Sequence, residues 1–369
     1  MFDIPLLSYS KVFYWTAFWL CVVYSMTYIS SQDNHLLLRQ HSRVPAVLIT
    51  VLCALYIGQR PICWLFQDML AYNNQFDRFD VPNIYSLDWE GEWGFNMLFY
   101  ICKANALGAP AFFLIVAILY VLLQTVACRK LIWENTMLGV LFCMSAFSFW
   151  GYGTNGIRNG LACSIALIGI VQIIKQENFW AILVCLIAIG THRSTMLPIA
   201  MAVLAVYFIK SPKYAVYFWL ASIVVSMVMG NTVANMLSQL GFDYRIDLYM
   251  TMTTANAGFS RVGFRWDFLL YSAVPVALTW YVTQKRKIED PIFNRLAVTY
   301  ILTNAFWVMI NRVAFSNRFA YLSWFIYPIL IAYVFIRIPL WDEQDKKAGF
   351  ALLLHACFTI FMFMIGKLY

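Results

Sequence analysis

The sequence predicts an all-α, polytopic integral membrane protein of about twelve transmembrane helices. Three observations predict it. The chain of 369 residues is 62% hydrophobic and only 12% charged, with a mean hydropathy of +0.69, whereas a soluble protein is about one-quarter charged. Apolar stretches of about 15 to 20 residues recur from end to end, each able to cross about 30 Å of hydrocarbon. No polar stretch is long enough to build a second core. The whole of 1–369 therefore reads as one transmembrane domain, with outer loops at about 59–109 and 231–265.

Lys11 precedes a long apolar run without a small-residue cleavage site, so 11–29 reads as a first span rather than a cleaved signal. The other spans fall at 44–58, 110–127, 135–150, 157–174, 179–190, 195–209, 214–230, 266–283, 292–310, 319–337 and 349–366. Lysine-rich links follow the third, seventh, ninth and eleventh: Arg129-Lys130, Lys210 with Lys213, Lys285-Arg286-Lys287, and Lys346-Lys347. The positive-inside rule puts these links in the cytoplasm and both termini outside. Gly94–Leu107 is short and carries Asn96, Lys103 and Asn105, so it reads as an amphipathic helix at the outer interface rather than a thirteenth span. One helix over Phe179–Ile209 would bury His192-Arg193 and reverse every later link. Two helices with a break at Gly190-Thr191 are therefore expected. The nine cysteines are scattered through apolar runs with no C-x-x-C and read as core residues. Whether Cys63 and Cys102, both on the outer side, pair is left open.

On this topology eight of the eleven lysines are inside and nine of the fifteen arginines outside. Arginine suits bidentate recognition of phosphate or carboxylate, so the outer face is expected to meet an anion. The competing reading is pairing with the outer acids.

The outer links carry the candidate residues. The first begins with Arg60, continues with Asp68 and Tyr72, and becomes acidic and aromatic through Asp77, Asp80, Asp88, Trp89, Glu90, Glu92 and Trp93. Rings beside carboxylates suit sugars, although an interfacial aromatic belt would look the same. The second, W-G-Y-G-T-N-G-I-R, turns sharply and puts Arg158 in the first turn of a helix, where guanidinium and free N–H groups both favour an anion. The alternative is a snorkelling arginine. The third is T-H-R-S. The helix before it is short, which sets His192 below the surface as a candidate general base or, on the alternative reading, a satisfied structural histidine. The fourth holds Asp243, Arg245, Asp247, Arg261 and Arg265, and its length suits a lid or binding loop. The fifth holds Arg312, Arg318 and Tyr321, with the two arginines flanking a short turn and able to reach one diphosphate.

The chain resembles the EpsG family of Wzy-type bacterial polysaccharide polymerases. The resemblance rests on G-Q-R at 58–60, Asp68 to Tyr72, W-E-G-E-W-G-F-N, G-I-R-N-G-L-A at 156–162, H-R-S at 192–194 and R-F-A-Y at 318–321. The family pattern is closer to G-I-R-Q-x-x-A and H-x-S, and Asn159 departs from it slightly. The resemblance implies a membrane glycosyltransferase of GT-C-like architecture in the bacterial inner membrane, acting at the periplasmic or outer face. It implies transfer of a growing O-antigen or exopolysaccharide chain from undecaprenyl diphosphate onto a new lipid-linked oligosaccharide repeat unit. Donor, acceptor and membrane lipid are then the partners, with a chain-length regulator protein as a further candidate and no nucleic acid.

A diphosphate leaving group needs positive charge as its bond breaks. Arg158 and Arg318 are the first candidates, with Arg312 and Arg60 beside them. His192 is the first candidate base, Asp68 or Glu90 the second, and Asp243 and Asp247 weaker ones. Tyr72, Arg245, Arg261, Arg265 and Tyr321 complete the candidate binding residues. No D-x-D pair is placed for Mg²⁺, so neither metal nor cofactor is expected. A ligase or other lipid-linked glycosyltransferase is the nearest alternative. A flippase of lipid-linked sugars is the next, disfavoured by the absence of an internal repeat.

Overall fold

The computed structural model describes residues 4–30, 42–80, 89, 91–239 and 263–366, and among these every regular element is helical. In chain order the helices are α1 (Tyr9–Ser30), α2 (Arg43–Gly58), α3 (Asp68–Arg78), α4 (Trp93–Ala104), α5 (Ala109–Leu131), α6 (Thr136–Met144), α7 (Phe149–Thr154) and α8 (Ile157–Lys175). They continue as α9 (Asn178–Thr191), α10 (Met196–Tyr207), α11 (Pro212–Gln239), α12 (Trp266–Trp280), α13 (Pro291–Met309), α14 (Asn317–Trp324), α15 (Tyr327–Arg337) and α16 (Gln344–Met364).

Local chemistry accounts for many of the ends. Pro110 in the first turn of α5 and Pro291 in that of α13 fix φ where no N–H is needed. Asn135 caps α6 by accepting from Leu138 N–H at 3.1 Å, and Asp290 caps α13 by accepting from Phe293 N–H at 2.8 Å.

Six described helical segments are long and apolar enough to cross a membrane: Leu6–Ser30, Ala109–Leu131, Ile157–Lys175, Pro212–Met229, Asn317–Arg337 and Gln344–Met364. Arg43–Gly58, Phe179–Thr191 and Arg193–Tyr207 are apolar but shorter. Phe179, Trp180, Ile182, Leu183 and Leu186 on α9, and Val44, Val47, Leu48, Val51 and Leu52 on α2, are all exposed. Bands of large apolar side chains of this kind are what a lipid-facing surface requires, and a soluble surface rarely carries them. The chain is a membrane protein.

The described helices form two compact units. The first comprises residues 1–172, 178–193 and 331–369. In it α1 packs along α16, α2 along α5, and α4 against α9 and α5. Two polar contacts cross between its helices: Thr50 shares a hydroxyl hydrogen bond with Thr125 at 2.7 Å, and Gln124 donates to Ser164 at 3.3 Å. Glu134, between α5 and α6, forms an ion pair with Arg337 at the end of α15. The second unit comprises residues 173–177 and 194–330. There α13 is the central helix, nearly all of it buried, packed by α10, α11, α12 and α14. Trp219 of α11 donates to Asn304 of α13 at 2.7 Å, and Asn304 donates on to Ser323 of α14 at 2.9 Å.

Several expected elements form with changed boundaries. The span expected at 135–150 is broken into α6 and α7 around Ser145, whose hydroxyl folds back onto the Leu141 carbonyl at 2.7 Å. The stretch expected at 319–337 divides into α14 and α15, with Pro328 in the first turn of α15. The helix expected to end at 230 continues to Gln239, with non-helical backbone at Met229. Gly94–Leu107 does form a helix, α4, burying Phe95, Phe99 and Cys102 at i, i+4 and i+7. Phe179–Ile209 does form two helices, and the break falls at His192, just after Gly190-Thr191. Cys63 and Cys102 are both free thiols.

Candidate active site

Two turns and one helix start, distant in sequence, meet in the first unit. The first is the turn from α7 into α8. The N–H groups of Asn155 and Gly156 both donate to the Gly151 carbonyl, at 2.8 and 3.2 Å. This closes α7 and lets α8 begin at Ile157, which sets Arg158 in its first turn. The two helices approach closely here: a Cβ on Gly160 would lie 2.3 Å from the Tyr152 carbonyl oxygen. A backbone oxygen cannot step aside, so the turn that aims Arg158 depends on that glycine.

The second is the end of α9. Its fourteen residues span about 21 Å, short of a full hydrocarbon crossing. His192 follows directly, its N–H donating to the Ala188 carbonyl at 3.0 Å, and only 5% of the residue is exposed. The third is the start of α4. Trp93 packs against the end of α9, so closely that a Cβ on Gly190 would lie 2.2 Å from its ring. That approach carries the residue before it, Glu92, to His192.

Glu92 joins the three. One carboxylate oxygen forms an ion pair with Arg158 Nη1, and the other lies 3.3 Å from His192 Nδ1. Glu92 is the residue at the N-terminus of α4, yet its side chain makes no capping bond to its own helix. Arg158 also lies near the rings of Tyr72 of α3 and Phe95 of α4, at 5.8 and 5.9 Å, which themselves pack 5.2 Å apart. Its Nε is buried with no acceptor. Trp89 is exposed beside this cluster, its ring 5.9 Å from Trp93.

The other expected residues fall in different surroundings. Arg60 is 3% exposed, donates from Nη1 to the Ile57 carbonyl at 2.6 Å and from Nη2 to the Thr154 carbonyl at 2.9 Å, and lies between Phe66 and Phe113. It ties the end of α2 to the end of α7. Burial pushes its guanidinium down to about 9, which leaves it charged at neutral pH. Asp68 begins α3 and is half-buried.

In the second unit Arg265 is held by Asp267, Nε to Oδ1 at 2.9 Å and Nη2 to Oδ2 at 2.8 Å, and lies over Phe268 at 3.6 Å. Arg312 donates to the Met227 carbonyl at 3.1 Å, and its Nε is buried without an acceptor. Arg318 is exposed at the second position of α14, packed near Phe315 at 5.1 Å. Tyr321 is buried at 2% exposure against Phe325. Glu90, Asp243, Arg245, Asp247 and Arg261 lie outside the described residues.

Of the residues expected from sequence, Arg158 and His192 are brought together here, and Glu92, named only among the acids of its link, is the residue between them. The available signal was position: Glu92 immediately precedes the helix that the apolar pattern of Gly94–Leu107 announces, so its location is set by how that helix docks.

No curated protein and no solved structure matches the chain. A sequence model of the EpsG family matches residues 43–369, most of its length. With that match and the membrane fold already described, the chain belongs to the EpsG family, whose members are polysaccharide-polymerase-like membrane proteins.

Proposed function

We propose that the protein is a Wzy-type glycosyltransferase of the bacterial inner membrane, polymerising oligosaccharide repeat units carried on undecaprenyl diphosphate at the periplasmic or outer face. The observation that carries this reading is the meeting of Arg158 and His192 on one carboxylate, in a chain of this family. An acceptor sugar hydroxyl attacks the anomeric carbon of the growing chain. Its proton passes to His192 as the new C–O bond forms. The bond from the anomeric carbon to the diphosphate oxygen breaks, and the electron pair leaves with undecaprenyl diphosphate. Arg158 meets the growing negative charge, with Nε as an unused donor. Tyr72 and exposed Trp89 offer aromatic surface for sugar rings. Arg318 is the second unit's own phosphate candidate, exposed near the start of α14. Arg60 positions the end of α7 through its bonds to carbonyls.

The same reading extends to topology: about twelve crossings in a GT-C-like arrangement, with both termini outside. The Glu134–Arg337 pair supports it, because it joins two links assigned to the cytoplasmic side. The meeting of Glu92, Arg158 and His192 supports it too, because it joins three links assigned to the outer side.

The test is polymerisation by the purified, reconstituted protein given a defined undecaprenyl-diphosphate-linked repeat unit, with and without EDTA. Ladders of polymer in both arms are expected. Transfer only to a different acceptor would favour a ligase, and vesicle-to-vesicle movement of the lipid without new glycosidic bonds would favour a flippase. Labelling of a cysteine placed at 286 from outside would overturn the topology.

A further inference from the structure

Glu92 stands between the two residues that the proposed reaction uses, and it carries the same sign of charge as the diphosphate. Its place is built. The helix start that bears it docks on the end of α9 through the contact of Trp93 with Gly190. Its carboxylate is only 19% exposed, and its two oxygens go to different partners. A carboxylate on a guanidinium is an internal substitute for an anionic ligand. Arg158 is thus occupied on one edge while its Nε, buried, has no acceptor.

We infer that Glu92 is a positioning residue with two linked tasks: it occupies Arg158 until a diphosphate displaces it, and it holds His192 through Nδ1 so that Nε2 is the nitrogen offered to the acceptor hydroxyl. This rests on the polymerase reading of the same site. A diphosphate brings more charge and more acceptor oxygens than one carboxylate, so it takes the guanidinium and satisfies Nε. Glu92, released from Arg158, keeps its contact with His192 Nδ1. The proton leaving the acceptor hydroxyl arrives at Nε2 as the glycosidic bond forms and the diphosphate departs with its electron pair. The imidazolium so formed lies beside a carboxylate that no longer shares its charge with Arg158. Binding of the donor and activation of the base are thereby coupled through one side chain.

The experiment compares reconstituted full-length wild type with Glu92→Gln, measuring affinity for inorganic pyrophosphate together with kcat and KM for the lipid-linked repeat unit. Glu92→Gln is expected to bind pyrophosphate about tenfold tighter, the order of a typical coupling, while kcat falls about a hundredfold and KM does not rise. A merely structural residue would weaken both. Unchanged pyrophosphate affinity and unchanged kcat would overturn the inference. Should Glu92→Gln fail to reach the membrane, Glu92→Asp keeps the charge on a shorter arm. It is expected to show tighter pyrophosphate binding and lower kcat, each to a smaller degree, and wild-type values in both would overturn the inference. Pyrophosphate binding that Arg158→Ala abolishes but Glu92→Gln leaves unchanged removes the inference alone. Absence of pyrophosphate binding in wild type removes the reading of the site on which it rests.

Discussion

The two units hold their arginines in opposite ways. In the first, Arg158 of α8 is met by Glu92 at the start of α4, and Glu92 is shared with His192 at the end of α9. In the second, Arg265 is met by Asp267, two residues further along its own chain. A pair closed between neighbours in sequence needs no tertiary fold to form it and stabilises a helix start. A pair closed between distant elements exists only when those elements dock, and docking brings unlike chemistry together. Arginine beside carboxylate beside histidine makes a candidate site, whereas arginine beside its neighbouring aspartate makes a local brace.

Substitutions can break that comparison, and the largest effect is expected at Arg158. Arg158→Ala should lower polymer formation by about a thousandfold, the scale of losing a preorganised group at a developing oxyanion, while protein level and single repeat units persist. Arg158→Lys should recover little, because an ammonium cannot reproduce the planar fork. Polymer yield and length on gels read both. Arg318→Ala, tested alongside, should cost about tenfold. A loss equal to that of Arg158→Ala would put the two units on the same footing.

Next is His192→Ala, expected to lower kcat by about a hundredfold or more, the usual contribution of a general base. Wild-type turnover would leave Arg158 as the site's active group and reduce His192 to a packing residue.

Arg60→Ala should act on stability instead. It removes a buried guanidinium from two carbonyls and two rings, at about 2 to 4 kcal/mol. Thermal denaturation in detergent should show a clear fall in Tm, with activity at low temperature largely kept. Loss of activity without loss of Tm would move Arg60 from brace to site.

The smallest effect belongs to Arg265→Ala. Its pair with Asp267 is partly exposed, so stability should change by less than about 1 kcal/mol. A large loss of polymer at unchanged Tm would show that the second unit's brace meets substrate as well.

Much of the molecule is legible in its sequence. The apolar runs announced the helices, because a membrane segment must satisfy its own backbone and present apolar side chains to lipid. The break at His192 was legible because a continuous helix would have buried two ionisable side chains. Arg158 was legible because Gly156 and the turn before it set a helix start one residue upstream. Other features resisted. The division of 135–150 at Ser145 leaves no mark in hydropathy, since both halves are apolar. Arg60 and Tyr321 read in sequence as candidate binding residues of the outer links and are buried at 3% and 2%.

Composition and pattern thus determined by themselves that the chain is a helical membrane protein, where its apolar segments lie, and which polar residues stand at their ends. These follow from local rules of hydropathy and turn chemistry, which act over a few residues. Only the tertiary structure decided that Glu92 reaches both Arg158 and His192. That choice depends on Trp93 seating against Gly190 and on α8 starting tightly over Tyr152. A contact of this kind is set by the shapes of packed helices, and shape is a property of the assembled chain.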